Sequence, residues 1–173
     1  MHLNDDELVV IGNVMSNRFE AVRANPSLQS LWIKRAIAFV VDSLIIGIIF
    51  VNANIILALL PLPARLFDVT VFTGLFSGVS TILSLIIVYG YYTFFEGSLS
   101  ATTGKMLLNL RVMSISGGPM NYTKALVRNL TKPWNWIIGL LFLLDLIVGF
   151  VTEGDPRQRF MDTLAGTTVI TTH

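Results

Sequence analysis

Two stretches of this chain are so long and so apolar that a water-soluble fold has no place for them. From Ile33 to Leu60 the sequence is interrupted only by Lys34, Arg35, Asp42, Ser43, Asn52 and Asn54, and from Val69 to Phe95 it carries no charge at all. A helix rises about 1.5 Å per residue and about 20 residues cover the hydrocarbon of a bilayer, so either run crosses with length to spare. The remainder of the chain cannot offset them. Charged residues make up 13% of the sequence, against about 25% in soluble domains, and the mean hydropathy is +0.69.

Pro61 and Pro63 end the first run, because a proline lacks the amide donor and restricts the residue before it. The short link to Asp68 makes the two helices antiparallel neighbours. The first run is too long for the apolar core of a signal peptide and is expected to stay in the mature protein. A third run, Trp134 to Val151, contains one acid, Asp145, and is barely long enough to cross.

Orientation follows from lysine and arginine. Arg18, Arg23 and Lys34 precede the first helix, and Lys105, Arg111, Lys124, Arg128 and Lys132 follow the second, whereas the turn between them holds only Arg65. The positive-inside rule therefore places the N-terminus and residues 96–132 in the cytoplasm, with Trp32, Tyr89, Tyr91, Tyr92, Trp134 and Trp136 marking that interface. Residues 1–30 read as a cytoplasmic N-terminal segment. Within it Leu8, Ile11, Met15, Phe19 and Val22 have helical spacing, behind a first turn rich in acids. Residues 31–173 form the membrane domain.

Few residues are candidates for chemistry. Arg35 stands at the mouth of the first helix, and Asp42 lies seven residues, nearly two turns, further in on the same face. A carboxylate at that depth costs roughly 2.5–3.5 kcal/mol, so it must be paired, protonated or wetted. A functional Asp42 is favoured over a purely structural one, with Arg35 setting its charge state. Arg35 taken alone fits a helix-end cation that reaches back to the interface.

The second helix has a stripe of Thr70, Thr73, Ser77, Ser80, Thr81 and Ser84 beside Gly74 and Gly78. Such a face suits close helix packing. It also suits a polar path, and its hydroxyls could donate to Asp42. Residues Asn121–Lys132 read as an amphipathic helix with Lys124, Arg128 and Lys132 on one side and Tyr122, Leu126 and Leu130 on the other. Its basic side fits anionic lipid headgroups, or else the helix packs on the protein itself.

Several chemistries are excluded. Cysteine is absent, so there is no thiolate nucleophile, metal thiolate or disulfide. Gly104-Lys105 fails as a phosphate loop, since Met106 stands where the hydroxyl residue should be. His2 and His173 lie at the ends and look incidental. No metal site, cofactor, enzyme activity or nucleic-acid partner is expected.

Taken in order, these residues resemble the RDD family of small prokaryotic membrane proteins, named for one arginine and two aspartates. The resemblance runs from about Lys34 to Ile170. It rests on Arg35-Ala-Ile-Ala with Asp42, on Thr103 through Val112 followed by Gly117-Gly118, on Ala125 through Arg128, and on Asp162 through Thr167. It implies Arg35, Asp42 and Asp162 as functional positions, with Lys105, Arg111 and Arg128 supporting them. Met161 departs from the family, which often has histidine before the aspartate. The resemblance implies a multi-pass helical protein of the cell membrane and, for function, transport of unknown ligands, cation/proton exchange included.

The expected fold is an all-α membrane protein. It has two long transmembrane helices, a third shorter membrane segment, a cytoplasmic amphipathic helix and a small two-stranded β ribbon. The ribbon would join the alternating 110–115 to the β-branched 167–171. Pairing these strands requires both on one side of the membrane, so 134–151 should either enter and return, turning near Gly139 or Asp145, or lie in the inner leaflet, and thereby bring Asp162 to Arg35. Run length alone favours an ordinary third span. The expected function is transport of a small ion or proton by a homo-oligomer, since two or three spans cannot enclose a pathway. The alternative is an accessory protein that binds lipid or another membrane protein.

Overall fold

The computed structural model describes residues 18–59, 68–118, 120–132 and 136–172. The expected helix around Leu8–Val22 falls mostly outside them; its described end, α1 (Arg18–Ala24), is helical. Asn25 then starts α2 (Pro26–Leu59) by accepting a hydrogen bond from the Ser27 amide at 3.0 Å, with Pro26 in the first-turn position where a missing N–H costs nothing. α3 (Val69–Leu99) begins at Asp68, whose carboxylate accepts from the Thr70 amide at 2.7 Å. It ends at Ser100 in the left-handed region.

Both long helices are of membrane-crossing length and apolarity. They are antiparallel: Asn54 meets Ser80 at 2.6 Å, while Asp42, twelve residues back along α2, meets Tyr91, eleven residues forward along α3, at 2.8 Å. Their outward faces are bare apolar side chains such as Ile48, Ile56, Ile82 and Ile86, as expected where lipid is the solvent.

The remaining elements gather at one end of this pair. α4 (Thr103–Leu107) lies against α2, and β1 (Leu110–Ser114) pairs antiparallel with β2 (Thr167–Thr171), with Val112 opposite Val169. The expected ribbon is therefore present. Its inner side, Leu110, Val112 and Val169, joins Leu31, Ala38, Met120 and Ala125 in a small core. Ala125 belongs to α5 (Tyr122–Asn129), which is capped by Asn121.

The third apolar run forms α6 (Trp136–Val151), an unbroken helix. The expected turn at Gly139 or Asp145 does not occur. At about 1.5 Å per residue, its 16 residues are about 24 Å long, short of a bilayer's hydrocarbon. The return is made by two helices instead of one. α5 runs back along α3, with Tyr122 against Gly97 and the Leu130 carbonyl accepting from the Tyr89 hydroxyl at 2.9 Å. α6 then runs out along the first half of α2, with Phe142 stacked on Phe39 at 5.2 Å and Phe150 against Trp32 at 4.6 Å. The chain thus re-emerges where it entered, and α7 (Phe160–Leu164) delivers β2 to β1.

Candidate functional site

Among the described residues, the buried charged side chains other than Arg18 lie where α2 to α7 converge. Asp162, fully buried in α7, binds three arginines: Arg35 at 2.6 Å, Arg128 at 3.1 Å and Arg159 at 3.2 Å. It also accepts the Arg159 amide at 3.1 Å, an acid in the first turn reaching back to the start of its own helix. Burial alone would raise this carboxyl, but Arg128, Arg159 and Arg35 outweigh it and hold Asp162 well below the usual carboxylate range. Arg35 further donates to the Arg157 carbonyl at 2.5 Å and lies over the Trp32 ring at 4.4 Å.

Arg128 links this carboxylate to a second one. Its Nε stands 3.1 Å from Glu96, which also binds the Lys105 ammonium and accepts from Asn129 at 2.7 Å. Burial lowers Lys105 to about 8, with Glu96 offsetting part of that shift. A third acid, Asp145 of α6, lies 3.2 Å from Arg159 and accepts from Thr131 at 3.1 Å and from the Met161 amide at 2.7 Å.

Asp42 is held differently. The carboxylate takes the Tyr91 hydroxyl at 2.8 Å, the Thr102 hydroxyl at 2.6 Å and the Gly104 amide at 2.8 Å. Arg35 is bound to Asp162 instead, so the expected Arg35–Asp42 unit does not form. The donors are also not the hydroxyl stripe of the second helix, as expected, but residues at the end of α3 and around α4. Gly104 explains the geometry: a Cβ there would strike the Ala38 carbonyl and come 3.0 Å from Asp42, so only glycine lets α4 come close enough to donate.

Lys132 is the odd member. It is buried, and among the described residues no carboxylate stands within ion-pair distance of it. Its ammonium lies over Tyr92 at 4.4 Å, Phe39 at 4.9 Å and Phe142 at 5.7 Å. Burial, with Arg159 and Lys105 nearby, pushes it well below the ordinary lysine range; Glu96 opposes this weakly.

Lys132 and Arg128 belong to the helix for which two readings stood open, a basic side on anionic headgroups or packing on the protein itself. Arg128 and Lys132 point into the protein, as the second reading has it, and Tyr122, Leu126 and Leu130 point out. Arg128 thereby pairs with Glu96 and Asp162 in place of headgroups, whereas Lys132 packs on aromatic rings. Arg111 stays outside the centre, on the exposed face of β1. Arg18 is buried from below by the carbonyls of Glu153, Gly149 and Gln158 and the Thr163 hydroxyl, at 3.0–3.3 Å.

Two cavities adjoin the centre. One, of about 290 Å³, lies between α2 and α6 and is lined by Trp32, Phe39, Phe142 and Phe150 together with Arg35, Asp42, Lys105, Arg128, Lys132 and Arg159. The other, of about 380 Å³, continues between α2 and α3 and is lined by Ser43, Ser80, Thr81 and Ser84 among apolar neighbours. Phe39 borders both, and Tyr92 of the Lys132 cage borders the second.

Of the positions expected from sequence, Arg35, Asp162, Arg128 and Lys105 meet in one network and Asp42 anchors its edge. Glu96, Lys132, Asp145 and Arg159 were not foreseen as members. The available signal was that Glu96 and Asp145 are acids at or inside apolar runs, which demand partners. No curated protein and no solved structure matches the chain. The RDD family model matches residues 30–166, a span that contains every charged residue of the centre, and the chain belongs to the RDD family.

Proposed function

We propose that this membrane protein transports a small ion or solute across the cell membrane as a homo-oligomer, rather than catalysing a reaction. The observation that carries the reading is the pair of cavities in line along α2, one polar and charged, one lined by hydroxyls, divided by Phe39, Tyr92 and Lys132. Buried ionisable groups beside a cavity between membrane helices are the usual material of substrate and proton pathways. α6 covers only the first half of α2, so the hydroxyl-lined groove is open along one side, and a second copy would close it. The Gly74/Gly78 face, where added Cβ atoms would meet nothing, is available for that contact.

The lysine and arginine distribution supports an orientation with the ionic centre, the ribbon and the N-terminus on the cytoplasmic side. Cation/proton exchange, one form of this function, would use the carboxylates of the centre.

The test is flux. Purified protein in liposomes should move a cation, a proton or an anion under a gradient, and Asp162→Asn should abolish the movement. Its size in nanodiscs should exceed one copy. A strict monomer without flux overturns the reading. The accessory role, binding lipid or another membrane protein, draws on the exposed Tyr122, Leu126 and Leu130 of α5; it then stands in place of transport.

A further inference from the structure

The buried charges of the centre do not balance. Four carboxylates, Asp42, Glu96, Asp145 and Asp162, face five cations, Arg35, Lys105, Arg128, Lys132 and Arg159. Each carboxylate already has at least three donors around it. The basic group without a carboxylate is Lys132, whose ammonium nitrogen, among the described residues, lies against aromatic faces. Nearby, the buried Nε of Arg159 has no hydrogen-bond partner.

A buried lysine without a counter-ion tends to give up its proton, and an anion beside it favours the charged form and offsets part of the cost of burying it. Space for one is present, because Lys132, Arg159, Arg35, Lys105 and Arg128 all line the cavity of about 290 Å³. At about 30 Å³ for each water-sized group, it accommodates roughly ten non-hydrogen atoms, more than a bare phosphate or halide. The rest of its wall is apolar: Phe39, Val40, Leu146 and Phe150, with Val40 exposed at the rim. A few converging charges on an otherwise apolar wall are what a ligand with one charged head and an apolar arm requires. Asp42, the carboxylate on that wall, has both oxygens occupied by Tyr91, Thr102 and Gly104.

We infer that the cavity between α2 and α6 binds an amphiphilic anion, its phosphate or carboxylate head against Lys132 and Arg159 and its apolar arm along Val40, Leu146 and Phe150. This deepens the transport reading by naming a ligand class, and rests on that reading only for movement across the bilayer. The same chemistry is offered by a free alkyl phosphate or fatty acid and by the headgroup region of an anionic lipid.

The experiment is calorimetric titration of the full chain in nanodiscs of neutral phosphatidylcholine. Octyl phosphate should bind saturably, and inorganic phosphate at least tenfold more weakly. Lys132→Met keeps the stem and removes the charge; it should weaken octyl phosphate at least tenfold without lowering the unliganded Tm. Val40→Phe, which fills the rim and leaves every charge in place, should weaken it similarly. Nanodiscs containing phosphatidylglycerol separate the sources: competition with octyl phosphate supports a lipid occupant, and its absence supports a free solute. No saturable binding by folded protein, equal binding of inorganic phosphate, or full binding by Lys132→Met overturns the inference. Binding without flux in liposomes leaves it standing and removes transport, whereas cation flux without binding does the reverse.

Discussion

Arg35, nine residues into α2, and Asp162, in the last helix of the chain, meet at 2.6 Å with both side chains almost wholly out of solvent. The contact ties the α5–α6 return to the first long helix, because Asp162 holds Arg128 and Arg159 at the same time. Removing the acid takes a carboxylate from three guanidinium groups and leaves Arg35 with none, while Arg128 keeps Glu96 and Arg159 keeps Asp145; removing Arg35 leaves Asp162 with two arginines. Asp162→Asn is therefore expected to cost about 3–5 kcal/mol, the range for breaking a buried pair from one side, and Arg35→Gln clearly less. Thermal unfolding in detergent reads the difference, and equal losses would contradict the assignment of Asp162 as the hub.

Acid should act on the same residue. Asp162 is held well below the usual carboxylate range, so as pH falls the unfolded chain takes up the proton first and stability declines. The contribution is complete above about pH 4, the ordinary aspartate value, and is lost below it, toward the lowered folded value. Melting temperatures of the wild type should fall as pH drops below about 4, with a smaller slope in Asp162→Asn.

Asp42 and Gly104 form one device from opposite sides. Asp42→Asn keeps the shape but replaces an acceptor oxygen by a donor, facing either the Gly104 amide and Tyr91 hydroxyl or the Thr102 hydroxyl. A loss of about 1–3 kcal/mol is expected for the unsatisfied buried group. Gly104→Ala should cost a comparable amount through collision with the Ala38 carbonyl. Hydrogen exchange at the Gly104 amide should quicken in Asp42→Ala, which removes both acceptor oxygens; unchanged protection would show that the carboxylate is not its partner.

The return of α6 fixes where the tail lies. Thr172 follows β2 and donates its amide to the Asn109 carbonyl at 2.8 Å, so residue 172 shares a side with β1. In a chain without native cysteine, Thr172→Cys should resist an impermeant thiol reagent in intact cells and react once the cells are opened. Labelling in intact cells would place β1 and β2 outside.

The long helices and the ribbon were legible because their signals are local: apolar runs of fixed length, alternation in Leu110–Ser114 and β-branching in Thr167–Thr171. The Arg35–Asp162 contact was legible only by inference from strand pairing. Asp42 was found, but not its partners, since Tyr91, Thr102 and the Gly104 amide reach it through a tertiary approach that spacing along one helix cannot encode. The facing of α5 stayed open between two readings for a related reason. Periodicity separates Lys124, Arg128 and Lys132 from Tyr122, Leu126 and Leu130, yet says nothing about which side finds carboxylates. Glu96 is what turns the basic side inward, and it lies 33 positions from Asn129, its partner on that helix.

The position of Asp162 has a consequence for biosynthesis. Arg35 and Arg128 are translated before the acid that neutralises them, so until α7 emerges the centre holds guanidinium groups without that counter-charge. Both long helices insert with the site unfinished. A chain halted short of Phe160 retains its membrane segments but lacks the closing carboxylate and the second strand, leaving Arg35 without its acid and a bare edge at Leu110–Ser114. Completion of translation and closure of the ionic centre are thus one event, and a truncated product is distinguishable from a finished one by the charge it leaves uncovered.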